Sequence, residues 1–182
     1  MSGATTYADM LAMKVGYTNT FLHKPPYLDI SNPDSQWLGC CDFVISSDVL
    51  EHVAPPVRLA FENTLRLLKP GGVFVLTVPY TKTGETVEHF SELHDYHIEK
   101  RKGKWVLQNT TTDGRSQVFD HLIFHGGEGE TLEMRLFSET GVLGELYRAG
   151  FTDIRIHNEP CRKHGIKWPQ DWSLPITARR PS

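Results

Sequence analysis

Residues 41–80 read CDFVISSDVLEHVAPPVRLAFENTLRLLKPGGVFVLTVPY, and this stretch leaves few folds open to the chain. Phe43-Val44-Ile45 is a continuous apolar run, too short for a helix and without alternation, as expected of a strand covered on both faces of a parallel sheet. Ser46-Ser47-Asp48 ends it. Pro55-Pro56 suits a helix entry, because the N–H that proline lacks has no intrahelical partner there. Val57, Ala60, Phe61, Leu65 and Leu68 then fall on one stripe at helical spacing. Lys69 complements a helix C-terminus, Pro70 stops the helix, and Gly71-Gly72 permit the turn out. Val73 to Val78 forms a second strand. Strand, crossover helix and strand predict a right-handed βαβ unit whose two parallel strands end side by side at Ser46–Asp48 and Thr77–Tyr80. Ligands of such sheets bind beyond those carboxyl ends.

The same residues carry a resemblance. DFVISSDVLEHV followed by LRLLKPGGVFVLTVPY resembles the fourth-strand and fifth-strand motifs of class I S-adenosylmethionine-dependent methyltransferases, especially the small-molecule, methyltransferase type 11-like members. The match is specific because several elements recur in order at the right separation, whereas a lone PGG would mean nothing. It implies an α/β fold with a Rossmann-like methyltransferase sheet, S-adenosylmethionine as cofactor and a small-molecule methyl acceptor.

Bulk properties narrow the partners. A chain of 182 residues, 39% hydrophobic and 23% charged, suits a single domain over 1–182 with one core. A formal charge of −3 offers no basic field for nucleic acid or an anionic membrane. Cys40-Cys41 and the lone Cys161 form neither a CxxC site nor an even disulfide framework, as suits a reducing cytosol. No apolar run has membrane-spanning length and residues 1–20 lack the order of a signal peptide, so a cytoplasmic protein is expected.

Taken in order, Thr6 to Val15 is expected as a helix closed by Gly16, with Tyr17–Leu22 and Tyr27–Ile30 as short strands. By resemblance these are the family's first helix, second strand and third strand. The family begins with a further strand and a glycine-rich loop, for which only Gly3 is available ahead of Tyr7, so the sheet is expected to be truncated at its N-terminus. Phe43 to Ser46 would then present an open edge. Pairing with a neighbouring strand, a homodimer covering the edge, or an upstream segment outside the chain would each cover it. Residues 81–90 read as a loop. Asp95–Glu99, Lys104–Asn109 and Ser116–Ile123, punctuated by Lys102-Gly103 and Asp113-Gly114, predict an inserted antiparallel β-meander. The whole insertion, about 81–133, is either a cap over the cofactor side or a surface decoration or dimer arm. His125 to Glu130 reads as a mobile turn or lid, since its two glutamates and lack of lysine argue against a phosphate cradle. Ser138 is a candidate N-cap for a helix with inner stripe Leu143, Leu146 and Tyr147, closed by Gly150. Phe151–His157 and Leu174–Ala178 complete the set, the latter antiparallel and inserted in the sheet; EMRLFSETGVLGELYRAGFTDIRI resembles the family's last helix and sixth strand.

Methyl transfer from a sulfonium is an in-line displacement that needs alignment and dryness more than catalytic side chains. The resemblance places cofactor contacts at Asp29, Ile30, Ser46, Ser47 and Asp48; the family's acidic ribose partner near the end of the second strand is absent here, and Asn19 or Thr20 is the candidate for a weaker substitute hydrogen bond. Asp29 also fits an Asx turn leading into Asn32-Pro33. Catalytic candidates near the strand ends are His52, His89 and Tyr80, with Glu51 and Glu88 beside them. His52 titrates near neutrality and is either a general base or a structural histidine capping the next helix. No metal is expected: His94 and His97 would converge on a helix but diverge on a strand, and no third ligand is spaced for them. Arg135, Arg148, Arg155 and Lys163 are expected on the solvated surface. The function expected is methyl transfer to a small molecule; a catalytically inactive methyltransferase-like module serving as a binding or assembly partner is the alternative.

Overall fold

The structure, a computed structural model, describes residues 5–126 and 131–182. Gly3 and residues 127–130 of the expected lid lie outside the described residues. After α1 (Thr5–Ala12), the chain enters β1 (Cys41–Ser47), a 3₁₀ turn (Leu50–His52), α2 (Arg58–Leu67) and β2 (Leu68–Thr77). β1 and β2 are parallel and adjacent, with Val44 opposite Phe74 and Ser47 opposite Thr77. The βαβ topology is as its sequence predicts, but α2 ends at Leu67 and β2 already starts at Leu68, the expected turn at residues 69–72 being an irregular stretch of β2 where the register against β1 shifts. α2 lays Ala60, Phe61 and Leu67 on the sheet, where Leu50, Phe74, Leu76 and Phe137 join them in the main core. Each large side chain so buried contributes roughly 1.5–3 kcal/mol, which is what holds the crossover down.

Beyond β2, the 2-residue strands β3 (Tyr80–Thr81) and β4 (Val87–Glu88) lie where a loop was expected. The antiparallel meander follows as β5 (Asp95–Arg101), β6 (Lys104–Thr110) and β7 (Ser116–Phe119), in that spatial order. Its satellite core is Phe90, Leu107, Leu132 and Met134. A hairpin pairs β8 (Phe124–His125) with β9 (Thr131–Leu132), and β10 (Arg135–Ser138) then runs between β3 and β4. α3 (Glu139–Arg148) starts on Ser138, whose Oγ accepts from the Gly141 N–H at 3.0 Å, and Gly150 at φ +97° closes it. β11 (Thr152–Ile156) and β12 (Ile176–Arg179) finish the main sheet, ordered β1-β2-β12-β11 with β12 antiparallel to both neighbours.

Several local expectations need correcting. Residues 17–30 form no strand; only Phe21 and Tyr27 make an isolated bridge, and the segment does not pair with the neighbouring β1. Among the described residues β1 ends the sheet, so pairing within the chain does not close its edge. Instead the Tyr17 ring stacks on Phe43, centroids 6.4 Å apart, beside a groove of about 200 Å³ lined by Thr18, Thr20, Leu28 and Trp37. On α3, Val142 and Leu146 face inward and Tyr147 is 77% exposed, a rotation of the expected stripe by about one position. Arg135 is fully buried, not solvated. No described helix is long and apolar enough to cross a membrane.

Candidate functional site

At the carboxyl ends of β1 and β2 the backbone turns through Asp48, which holds φ +50°. That left-handed conformation is tolerated by a short polar side chain, and the Asp48 N–H donates to the Thr77 carbonyl at 2.9 Å. Three side chains meet there. Ser47 Oγ lies 2.9 Å from Thr77 Oγ1, while the Ser47 and Thr77 hydroxyls each donate to one Asp48 carboxylate oxygen at 3.3 Å. Ser46 points to the opposite face, where its Oγ is buried without a hydrogen-bond partner. Tyr7 of α1 lies close enough for Asp48 to help raise its hydroxyl's pKa, burial being the larger cause.

The other expected cofactor contacts are spread along the preceding chain. Asp29 Oδ1 accepts from the Ser31 N–H at 2.8 Å, so the Asx turn is real. Ile30 is in the core, with its carbonyl held by Asn63 Nδ2 at 3.0 Å. Asn19 is half-buried just before the Phe21–Tyr27 bridge.

A second cluster lies directly beyond Asp48. The 3₁₀ turn carries Glu51 and His52, and β10's entry holds it through the Met134 N–H, which donates to the Glu51 carbonyl at 2.8 Å. Arg135 secures the same turn: Nη1 donates to the Leu50 carbonyl at 2.6 Å and Nε to Glu88 at 2.7 Å. His52 Nδ1 lies 2.8 Å from the Leu132 carbonyl. A carbonyl only accepts, so Nδ1 carries the proton and Nε2 presents its lone pair. Burial holds the His52 imidazole below its ordinary pKa, so it is neutral at pH 7. Its Nε2 faces Glu51 Oε1 at 3.6 Å. Glu51 is fully buried, neither carboxylate oxygen has a hydrogen-bond partner, and burial pushes its pKa up to about 7.

His125, on β8, sets its ring edge-on to that of His52, centroids 4.9 Å apart. Glu133 bridges His125 and His89, with an oxygen 2.9 Å from Nε2 of each. His89 and Glu133 also line a pocket of about 180 Å³ with Phe90, Phe119 and Ile123, against the meander. Of the three catalytic candidates, the structure thus brings His52 and His89 to one cluster. It does not bring Tyr80, which is core: buried, its pKa raised by burial, its hydroxyl accepting from the Leu174 N–H at 3.3 Å. His125, Glu133 and Arg135 were missed as site residues. They arrive through the β8–β9 hairpin and β10, and no local spacing in the sequence signals that return. His97 sits on β5 and His94 just before it, so the helical pairing they would need for a metal does not form.

Residues 29–76 match a protein family described as a methyltransferase domain. Among solved structures, the 1,6-didemethyltoxoflavin-N1-methyltransferase of Burkholderia thailandensis, with bound 1,6-didemethyltoxoflavin and S-adenosylhomocysteine, is similar at a TM-score of 0.52 and 16% identity, covering 98% of this chain and 67% of that one. The CurJ carbon methyltransferase gives 0.49 and 19%, covering 86% of this chain and 34% of that one. An S-adenosylmethionine-dependent methyltransferase from Mesorhizobium loti gives 0.44 and 16%, covering 85% and 68% respectively. No protein of curated function matches. The chain therefore spans between about a third and two thirds of the length of these structures. Its fold is the Rossmann-like methyltransferase sheet, in keeping with the resemblance carried by its strand, crossover and strand.

Proposed function

We propose that this chain, whose residues 29–76 match the methyltransferase domain and whose sheet is that of the class I methyltransferases, is an S-adenosylmethionine-dependent methyltransferase acting on a small molecule. The observation that carries this reading is the parallel pairing of β1 and β2, which sets Ser47, Asp48 and Thr77 together at the crevice beyond their carboxyl ends. Two hydroxyls and a carboxylate suit the hydroxyl and ammonium groups of an adenosyl amino acid. Asn19, Asp29 and Ile30 are assigned to the adenosine side of the same crevice.

When bound, S-adenosylmethionine would supply a methyl group activated by its sulfonium, with the thioether as leaving group. The chain's own part is alignment, exclusion of water, and removal of the acceptor's proton where that proton is held tightly. His52 and His89 are the candidates for that last role. His52 is neutral with a free Nε2 lone pair, and His89 lines the pocket between Glu133 and the meander, the place this reading gives to the acceptor.

Isothermal titration with S-adenosylmethionine and S-adenosylhomocysteine tests the reading. Saturable binding at one site per chain is expected, weakened at least about tenfold in Asp48→Ala because a charge-assisted contact is lost. No heat at millimolar ligand would contradict it, and would favour the non-catalytic module.

A further inference from the structure

We propose that Glu51, His52 and His125 form a binding site for a first-row divalent transition-metal ion, zinc being the reference case. One ligand atom from each lies within 4.8 Å of the others. Three features of the geometry point the same way. The Glu51 carboxyl is fully buried and neither oxygen has a hydrogen-bond partner, Arg135 being near enough to act on its charge without bonding to it; an ionised group so placed costs several kcal/mol unless a cation or donor meets it closely. His52 is pre-set as a ligand, because the Leu132 carbonyl takes its Nδ1 proton and leaves the Nε2 lone pair aimed at Glu51. The 3.6 Å between His52 Nε2 and Glu51 Oε1 is too long for a hydrogen bond, but close to the roughly 3.3 Å that separates two ligands of a tetrahedral ion with bonds of about 2.0–2.1 Å.

Around these three, Glu133 holds His125 at 2.9 Å and Arg135 pins the Leu50 carbonyl of the turn, so the ligands sit on braced backbone. Two imidazoles with one carboxylate suit zinc, cobalt or manganese far better than magnesium or calcium, which prefer all-oxygen shells. Three protein ligands leave at least one coordination position open. With an ion in place His52 Nε2 is a ligand, and His89 alone is left as a base.

Metal binding does not rest on the methyl-transfer reading, since it is measured without S-adenosylmethionine and either can fail alone. Metal-free protein is titrated with cobalt(II) followed by its visible absorption, then challenged with zinc and with magnesium. One saturable cobalt ion per chain is expected, displaced by zinc and not by excess magnesium. Affinity should fall at least about tenfold in Glu51→Gln and in His125→Asn and stay unchanged in His97→Asn, a histidine on exposed β5. Circular dichroism of each variant establishes that it is folded. Absence of saturable binding, equal binding by all folded variants, or displacement by magnesium would each overturn the proposal.

Discussion

Arg135 shows how much of the site rests on one side chain that nothing in its local sequence marks as special. It follows Met134 in a short β-like run and reads as surface, yet it is fully buried and spans two elements, binding Glu88 of β4 and the Leu50 carbonyl of the 3₁₀ turn. Its burial becomes visible only once β10 is known to return between β3 and β4. Replacing it by methionine keeps the apolar stem and removes both polar contacts, so the denaturation midpoint should fall by the equivalent of about 2–4 kcal/mol. A change below about 0.5 kcal/mol would mean the contacts carry little. Cys41 gives a pH-dependent check on β1. Burial, with Cys40 adding to the effect, pushes its thiol up to about 11. A raised pKa means less thiolate below it: roughly one in a thousand at pH 8, so iodoacetamide labelling of Cys41, read by peptide mass spectrometry, should be slow there and rise steeply toward pH 11. Rapid labelling at pH 8 would contradict that environment.

Among the elements, β1, α2 and β2 were legible because their signals are local and agree with one another: an unalternated apolar run, a 3.6-residue stripe, and LKPGG as the turn out. In the structure LKPGG is the irregular start of β2, and it is as tight as its glycines imply. A Cβ on Gly72 would stand 2.9 Å from the Lys69 carbonyl oxygen and 3.2 Å from those of Asp42 and Cys41, all backbone atoms that cannot swing aside. Gly72→Ala should therefore destabilise by about 1–3 kcal/mol in chemical denaturation, and a neutral result would mean the turn relaxes freely. Ser138→Ala removes the cap of α3 and should lower stability by about 1 kcal/mol, read the same way. The meander was legible for the same reason, its turns being written as Lys102-Gly103 and Asp113-Gly114, with Gly103 and Gly114 both at positive φ. Strands β3, β4, β8 and β9 were not legible. Each is 2 residues long, too short for a local pattern to announce it; β3 and β4 exist only through β10, about fifty residues on, and β8 and β9 only through each other. Residues 17–30 failed in the opposite sense: aromatic and β-branched content suggested strands, but propensity does not specify pairing, and the segment makes only the Phe21–Tyr27 bridge.

For the whole molecule, the crevice and the histidine cluster differ in origin. The crevice follows from topology alone, since parallel neighbours joined by a crossover must end together, which is why the sequence puts Ser46 to Asp48 at the carboxyl end of β1. The cluster follows from the insertion folding back, which brings His125 and Glu133 onto a turn more than seventy residues earlier in the chain. The central claim is that the polar end of β1 and β2 receives an adenosyl ligand, and amide chemical-shift mapping with S-adenosylhomocysteine tests it most directly. The account predicts saturable shifts concentrated at Ser46–Asp48, Thr77 and residues 29–30. Shifts confined to the meander, or none at millimolar ligand, would contradict it.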